Sequence, residues 1–153
     1  MVLAAGAGGV SIPGAAVRLE VEERGRAGLP DHERREETMA KYVLFLHESP
    51  AAWAGVSPEE MQQVIEKYRA WSEGLAAAGK MVDGHKLADE GGRTLSRRGG
   101  ETAVTDGPYL EAREVVGGLF VVEADGYDEA AEIARGCPHL EHGWIELRAV
   151  EPT

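Results

Sequence analysis

The chain is poor in cysteine, in aromatic residues, in positive charge and in long apolar runs. A single cysteine, Cys137, among 153 residues excludes an internal disulfide framework and a multi-cysteine zinc site, and it fits a reducing cytosol. Lys and Arg number 16 against 27 Asp and Glu, a net charge of -11. Phosphate contacts dominate nucleic-acid affinity and would have to come from a chain that repels polyanions overall, so nucleic acid and membrane are set aside as partners. The densest apolar stretches run to about five residues against the ~18 of a membrane span, which argues against a transmembrane helix. Glycines number 20, yet neither G-x-G-x-x-G nor G-x-x-x-x-G-K-[ST] follows a strand pattern, so no nucleotide or other cofactor is expected. What is present, 43% apolar and 28% charged residues, suits one soluble cytoplasmic domain with one core.

Residues 1–38 differ from the rest. Their opening is rich in Ala and Gly but has neither a basic start nor a sustained apolar stretch, which makes a poor secretory signal. The remainder has no durable period of 2 or 3.6 and no aromatic residue, so a disordered extension is expected. Arg34-Arg35-Glu36-Glu37 can be encoded by purine-rich codons of the kind that precede a bacterial start, and a strand pattern begins directly after Met39. Met39 is therefore expected to be the natural start, the alternative being that residues 1–38 form a genuine flexible tail, with residues 39–153 as the folded domain in either case.

Tyr42 to His47 is a continuous apolar and aromatic run ending in a polar residue, the pattern of a central strand. Ser57-Pro58-Glu59-Glu60 supplies an N-cap serine, a proline at the first helical position and a capping-box glutamate. Met61, Val64, Ile65, Tyr68, Trp71 and Leu75 follow with helical spacing, which predicts a helix over 58–78. Met81 to Leu87 reads as a shorter strand, and Arg93 to Arg98 with Glu101 to Thr105 as a hairpin about Gly99-Gly100. Val115 to Glu123 is a second run that is apolar throughout, its paired glycines pointing to a bulge or a close backbone approach. Ala130, Ile133, Ala134 and Cys137 mark a second helix, and Gly143 to Val150 alternates like an edge strand.

Strand, helix, strand, hairpin, strand, helix, strand is the split βαβ, ferredoxin-like plan: an α+β domain with an antiparallel four-stranded sheet and two helices on one face. Numbering the sheet strands without the hairpin, the order 4-1-3-2 places the two fully apolar runs in the centre. Val43, Phe45, Phe120 and Val122 cannot all lie beneath the helices if their strands alternate sides. The open face predicts a homodimer formed sheet to sheet.

Asp106-Gly107-Pro108-Tyr109, Glu111-Ala112-Arg113-Glu114, Gly117-Gly118 and Asp128-Glu129-Ala130 running to Cys137-Pro138, with the opening MAKYVLFLHES and the SPEEM helix start, resemble the YCII-related proteins, in particular their DGPF branch. Tyr109 stands where that branch has Phe. The resemblance spans residues 39–151 and implies a dimeric α+β barrel. It also implies two kinds of function. The wider group includes a dehydrochlorinase of a chlorinated hydroxyhydroquinone thought to use a His/Asp pair, and members of the branch often sit beside extracytoplasmic-function sigma factors.

Antiparallel order should bring His47, His85, Asp89, Asp106, Tyr109 and Glu114 to one end of the sheet. A histidine beside a carboxylate moves protons near neutral pH, as isomerisation or loss of HCl from a small ring requires. His47, His85 and Asp106 are accordingly the candidate catalytic residues, and Trp53, Tyr109 and Glu114 the candidate substrate contacts. Structural readings compete with each: Asp-Gly-Pro is itself a turn sequence, and Trp53 or Tyr109 also suits a core or pocket wall. His139, Glu141 and His142 invite a metal, but the segment reads as a solvated loop, so no metal is expected. The function expected is small-molecule binding, as a cofactor-independent lyase or isomerase using a His/Asp pair; the alternative is a non-catalytic ligand-binding or regulatory accessory protein, for which the resemblance implies a sigma factor as one partner.

Overall fold

The computed structural model describes Pro30, residues 39–107 and residues 114–153. The expectations for the N-terminal extension and for Tyr109 fall on residues outside these. In chain order the elements are β1 (Ala40–Glu48), a 3-10 turn (Pro50–Trp53), α1 (Pro58–Ala77), β2 (Met81–Lys86), β3 (Arg93–Arg98), β4 (Glu101–Asp106), β5 (Val115–Ala124), α2 (Tyr127–Arg135), a second 3-10 turn (Pro138–Glu141) and β6 (Gly143–Ala149). The fold is α+β, with a four-stranded antiparallel sheet ordered β2-β5-β1-β6 and a separate β3-β4 hairpin. The order matches the split βαβ expectation, with the two apolar strands in the middle.

Local chemistry sets the element ends. Ser57 caps α1 by accepting from the Glu60 N–H at 3.2 Å while the Glu60 carboxylate accepts from the Ser57 N–H at 2.8 Å. These bonds hold the Glu60 carboxyl below its ordinary value, the backbone one most strongly. Both residues of the Gly99-Gly100 turn have positive φ, 58° and 84°, the conformation that lets a two-residue turn follow the twist of its strands.

Alternation along β1 divides its side chains cleanly. Tyr42, Leu44, Leu46 and Glu48 are buried on the helix side, while Val43, Phe45 and His47 are half-buried on the other. In β5, Phe120, Val122 and Ala124 join the buried set and Leu119 and Val121 the half-buried one. The four residues expected to divide between faces do so, Phe120 and Val122 going under the helices. Val64 and Tyr68 of α1 and Ala130 and Ala134 of α2 close the core from above.

The glycine pair of β5 makes a bulge. Leu46 faces Gly118 and His47 faces Val116, leaving Gly117 as the additional residue. A Cβ on Gly117 would fall within 2.6 Å of the Glu48 carboxyl carbon, and one on Gly118 within 2.8 Å of the His85 carbonyl oxygen. At Gly118 the approaching atom is backbone and only glycine fits, whereas at Gly117 the space a Cβ would need is taken by the Glu48 side chain.

Candidate functional site: a cavity between the sheet and the first helix

A cavity of about 370 Å³ lies between α1 and the end of the sheet where β1 and β2 stop and β5 begins. Leu46, Phe120 and Gly118 contribute from the sheet, Met61, Val64, Ile65 and Tyr68 from α1, and Trp53 from the turn after β1. Helical spacing explains the α1 set, since 61, 64, 65 and 68 form one stripe. Glu48 and His139 complete the polar part, and His85, Lys86 and Asp89 reach the cavity at its β2 edge.

Glu48 is 8% exposed. Among the described residues, no hydrogen bond or ion pair joins its side chain. Parity places it: it is the fourth residue of the series 42, 44, 46, 48 that faces the helices, and Gly117 leaves room for its carboxylate. Its oxygens are not among the sealed, unpartnered polar atoms of the described residues, so the carboxylate opens onto the cavity, where a ligand can reach it.

His139 is 1% exposed and bonded on both ring nitrogens. Its Nε2 lies 2.8 Å from the His47 carbonyl oxygen and its Nδ1 lies 3.0 Å from the Tyr68 hydroxyl. A carbonyl only accepts, so Nε2 carries the proton, Nδ1 carries the lone pair, and Tyr68 donates to it. Burial holds the His139 pKa below its ordinary value, more than offsetting the bond to the His47 carbonyl, which acts the other way. Burial also drives the Tyr68 pKa upward, helped by Cys137, Glu48 and Glu141. The pair is therefore neutral, with the tyrosine proton committed to histidine. Gly143 makes the arrangement possible: a Cβ there would fall within 2.8 Å of His139 Nε2.

The residues expected to carry chemistry are placed as follows. His47 projects from the open face, stacks on Trp144 with ring centroids 3.9 Å apart and bonds to Glu146 at 3.1 Å. His85 bonds to Asp83 at 3.0 Å with both side chains well exposed. Asp106 ends β4 with its side chain 98% exposed, 3.8 Å from Arg93. Each histidine thus has a carboxylate partner other than Asp106, and no described bond joins Asp106 to either. Trp53 lines the cavity and stacks at a tilt on His142, centroids 4.5 Å apart. Glu114 is exposed just before β5.

The segment Cys137 to Gly143 differs from the solvated loop expected of it. Its 3-10 turn buries His139 because α1 presents the Tyr68 hydroxyl and β1 presents a carbonyl at the same point. Glu141 does reach solvent, and its ion pair with Lys67 at 2.8 Å holds its pKa below the ordinary value. Among the described residues no group of three or more His, Cys, Asp or Glu is placed to hold a metal ion. No described helix is long and apolar enough to cross a membrane.

Fold and cavity together define an α+β domain enclosing a mostly apolar space with a carboxylate at its floor. The family model of the YCII-related domain matches residues 40–153, and the chain belongs to that family. It is also similar to an uncharacterized protein of Rhizobium meliloti (strain 1021), 28% identical over 95 residues that cover 61% of this chain and 77% of that protein.

Proposed function

We propose that this chain binds a small, largely apolar organic molecule in the cavity beneath α1, with Glu48 accepting from the polar end of the ligand. The observation that carries this reading is the Glu48 carboxylate itself, nine-tenths buried, unpartnered among the described residues, and set in a space of the size that small-molecule sites occupy. Fragment screening by methyl NMR tests it. Hits should shift the Leu46, Val64 and Ile65 signals, and Met61→Trp, which fills the space, should abolish those shifts. Hits that survive Met61→Trp would place binding elsewhere and end the proposal.

The Tyr68 and His139 pair favours a catalytic form of the same reading, a cofactor-independent isomerase or lyase. Glu48 takes a proton from a ligand carbon; in an isomerase it returns the proton to another carbon, and in a lyase the electron pair expels a leaving group. The Tyr68 hydroxyl, anchored on neutral His139, fixes the ligand beside the carboxylate. Solvent deuterium entering the bound ligand, and failing to enter in Glu48→Gln, is the signature. Binding without exchange or turnover leaves the accessory role, with a sigma factor as the partner that the DGPF resemblance implies.

The proposed working unit is a homodimer joined through the open sheet face. Val43, Phe45, Leu119 and Val121 form its half-covered apolar centre, with Val82 and Trp144 42% and 43% exposed. Asp83, His85, Glu146 and Arg148 surround it with both signs of charge, as a self-complementary two-fold contact needs.

A further inference from the structure

We propose that the cavity is selective for organic cations, taking a protonated amine with an aromatic or branched apolar body, and that Glu48 is its counter-ion. The proposal rests on the binding reading above and not on turnover. Three observations combine in it.

The first is the sign of the polar groups. Glu48 offers only acceptor oxygens, and Tyr68, whose proton is committed to His139 Nδ1 at 3.0 Å, offers only oxygen lone pairs. His139 has its own N–H committed to the His47 carbonyl at 2.8 Å. The second is the state of the cationic side chain at the edge. Lys86 is 2.6 Å from Asp89 and also donates to the Leu87 carbonyl at 3.0 Å, so it leaves Glu48 without a neutralising partner. A ligand carboxylate or phosphate would meet Glu48, while Lys86 is held by Asp89 and His85 by Asp83 at 3.0 Å. The third is the lining: Trp53, Tyr68 and Phe120 surround the space with aromatic rings, which favour an ammonium over an anion. A cation that enters exchanges its hydration for the carboxylate, the tyrosine oxygen and the rings, and supplies the acidic group with the counter-charge that no described side chain gives it.

Three probes of similar shape separate the alternatives: phenethylamine, 2-phenylethanol and 3-phenylpropanoate, titrated at neutral pH in 0.5 M NaCl. The salt suppresses loose association of the amine with an acidic surface. The amine should shift the Leu46, Val64 and Ile65 methyl signals and bind at least tenfold more tightly than the alcohol, with the acid not binding. Glu48→Gln, which keeps shape and removes charge, should lower amine affinity at least tenfold and alter the alcohol's affinity much less. Gly117→Ala, which displaces the carboxylate, should also weaken the amine while melting separately reports the fold. Equal affinity for amine and alcohol, or amine binding indifferent to Glu48→Gln, would overturn the cation proposal while the binding site stands. Tight binding of the acid would overturn it too. Failure of all three probes to move the cavity methyls, with the Met61→Trp control equally silent, would remove the binding reading as well.

Discussion

The two faces of the four-stranded sheet are built from the same strands, one residue out of step, and they serve different ends. On the helix side Leu44, Val122 and Ala124 are wholly buried and the polar residues are few and enclosed. On the open side Val43, Phe45, Leu119 and Val121 are only half-covered, and two histidines sit in pairs with acidic neighbours, His47 with Glu146 and His85 with Asp83. Burial shifts Tyr68, Cys137 and His139 on the helix side, whereas the open-side pairs stand partly in solvent in the single chain. A histidine beside a carboxylate is chemically suggestive on either face, but only burial makes its protonation state a fixed property of the fold.

Core truncation should divide the faces most sharply. Leu44→Ala is expected to cost about 2–5 kcal/mol in urea unfolding, because the vacated volume cannot be refilled by water or by relaxation. Phe45→Ala should cost distinctly less in the same measurement on isolated protomers. Comparable losses would mean that the open face is as tightly packed as the closed one.

Assembly comes next. Light scattering at micromolar concentration should give about twice the chain mass, and Phe45→Glu should return it to the single-chain value without altering the far-UV spectrum. A well-folded wild-type monomer at that concentration removes the sheet-to-sheet dimer.

Acid should distinguish the enclosed histidine from its exposed relatives. The folded state holds His139 below the ordinary histidine pKa near 6.5, so in the unfolded chain it binds a proton that the native state refuses. Its contribution is complete above pH 6.5 and is lost progressively as pH falls from there toward the depressed native value. The urea midpoint should drop between pH 7.5 and 5 more steeply in wild type than in His139→Gln, and equal slopes would show that burial of this ring does not matter.

The smallest effect concerns Cys137, whose thiol burial pushes up to about 11 despite an opposing bond involving His139. At pH 8 it should react with a disulfide reagent far more slowly than free cysteine, and the rate should rise to the free value in urea. Rapid modification of the native protein would contradict its place in the core.

Much of the fold was legible because its determinants are local. The capping box at Ser57, the stripe from Met61 to Leu75 and the Gly99-Gly100 turn each act within a few residues, and the two apolar strands announced the centre of the sheet. The site was less legible. Glu48 shares parity with Tyr42, Leu44 and Leu46, a usable signal, but Val43 and Phe45 are apolar too, and that concealed which parity faced the helices. His47 drew notice as the polar end of the run while its neighbour was the enclosed group. His139 had no local signal at all: its burial needs Tyr68, 71 positions away, and the His47 carbonyl, 92 positions away. A buried tyrosine does need a partner for its hydroxyl, and asking for one would have pointed beyond α1.

The additional residue at Gly117 acts as a phase slip in the strand. Every position before it in β5 is read with the opposite alternation from every position after it, so Val116 accompanies His47 and Val115 accompanies Glu48. The bulge is what absorbs that slip. A regular ladder run through Gly117 would set Gly117 against His47 and Val116 against Glu48, so Val115 and Val116 would exchange sides and the segment leading into β5 would enter the sheet turned over.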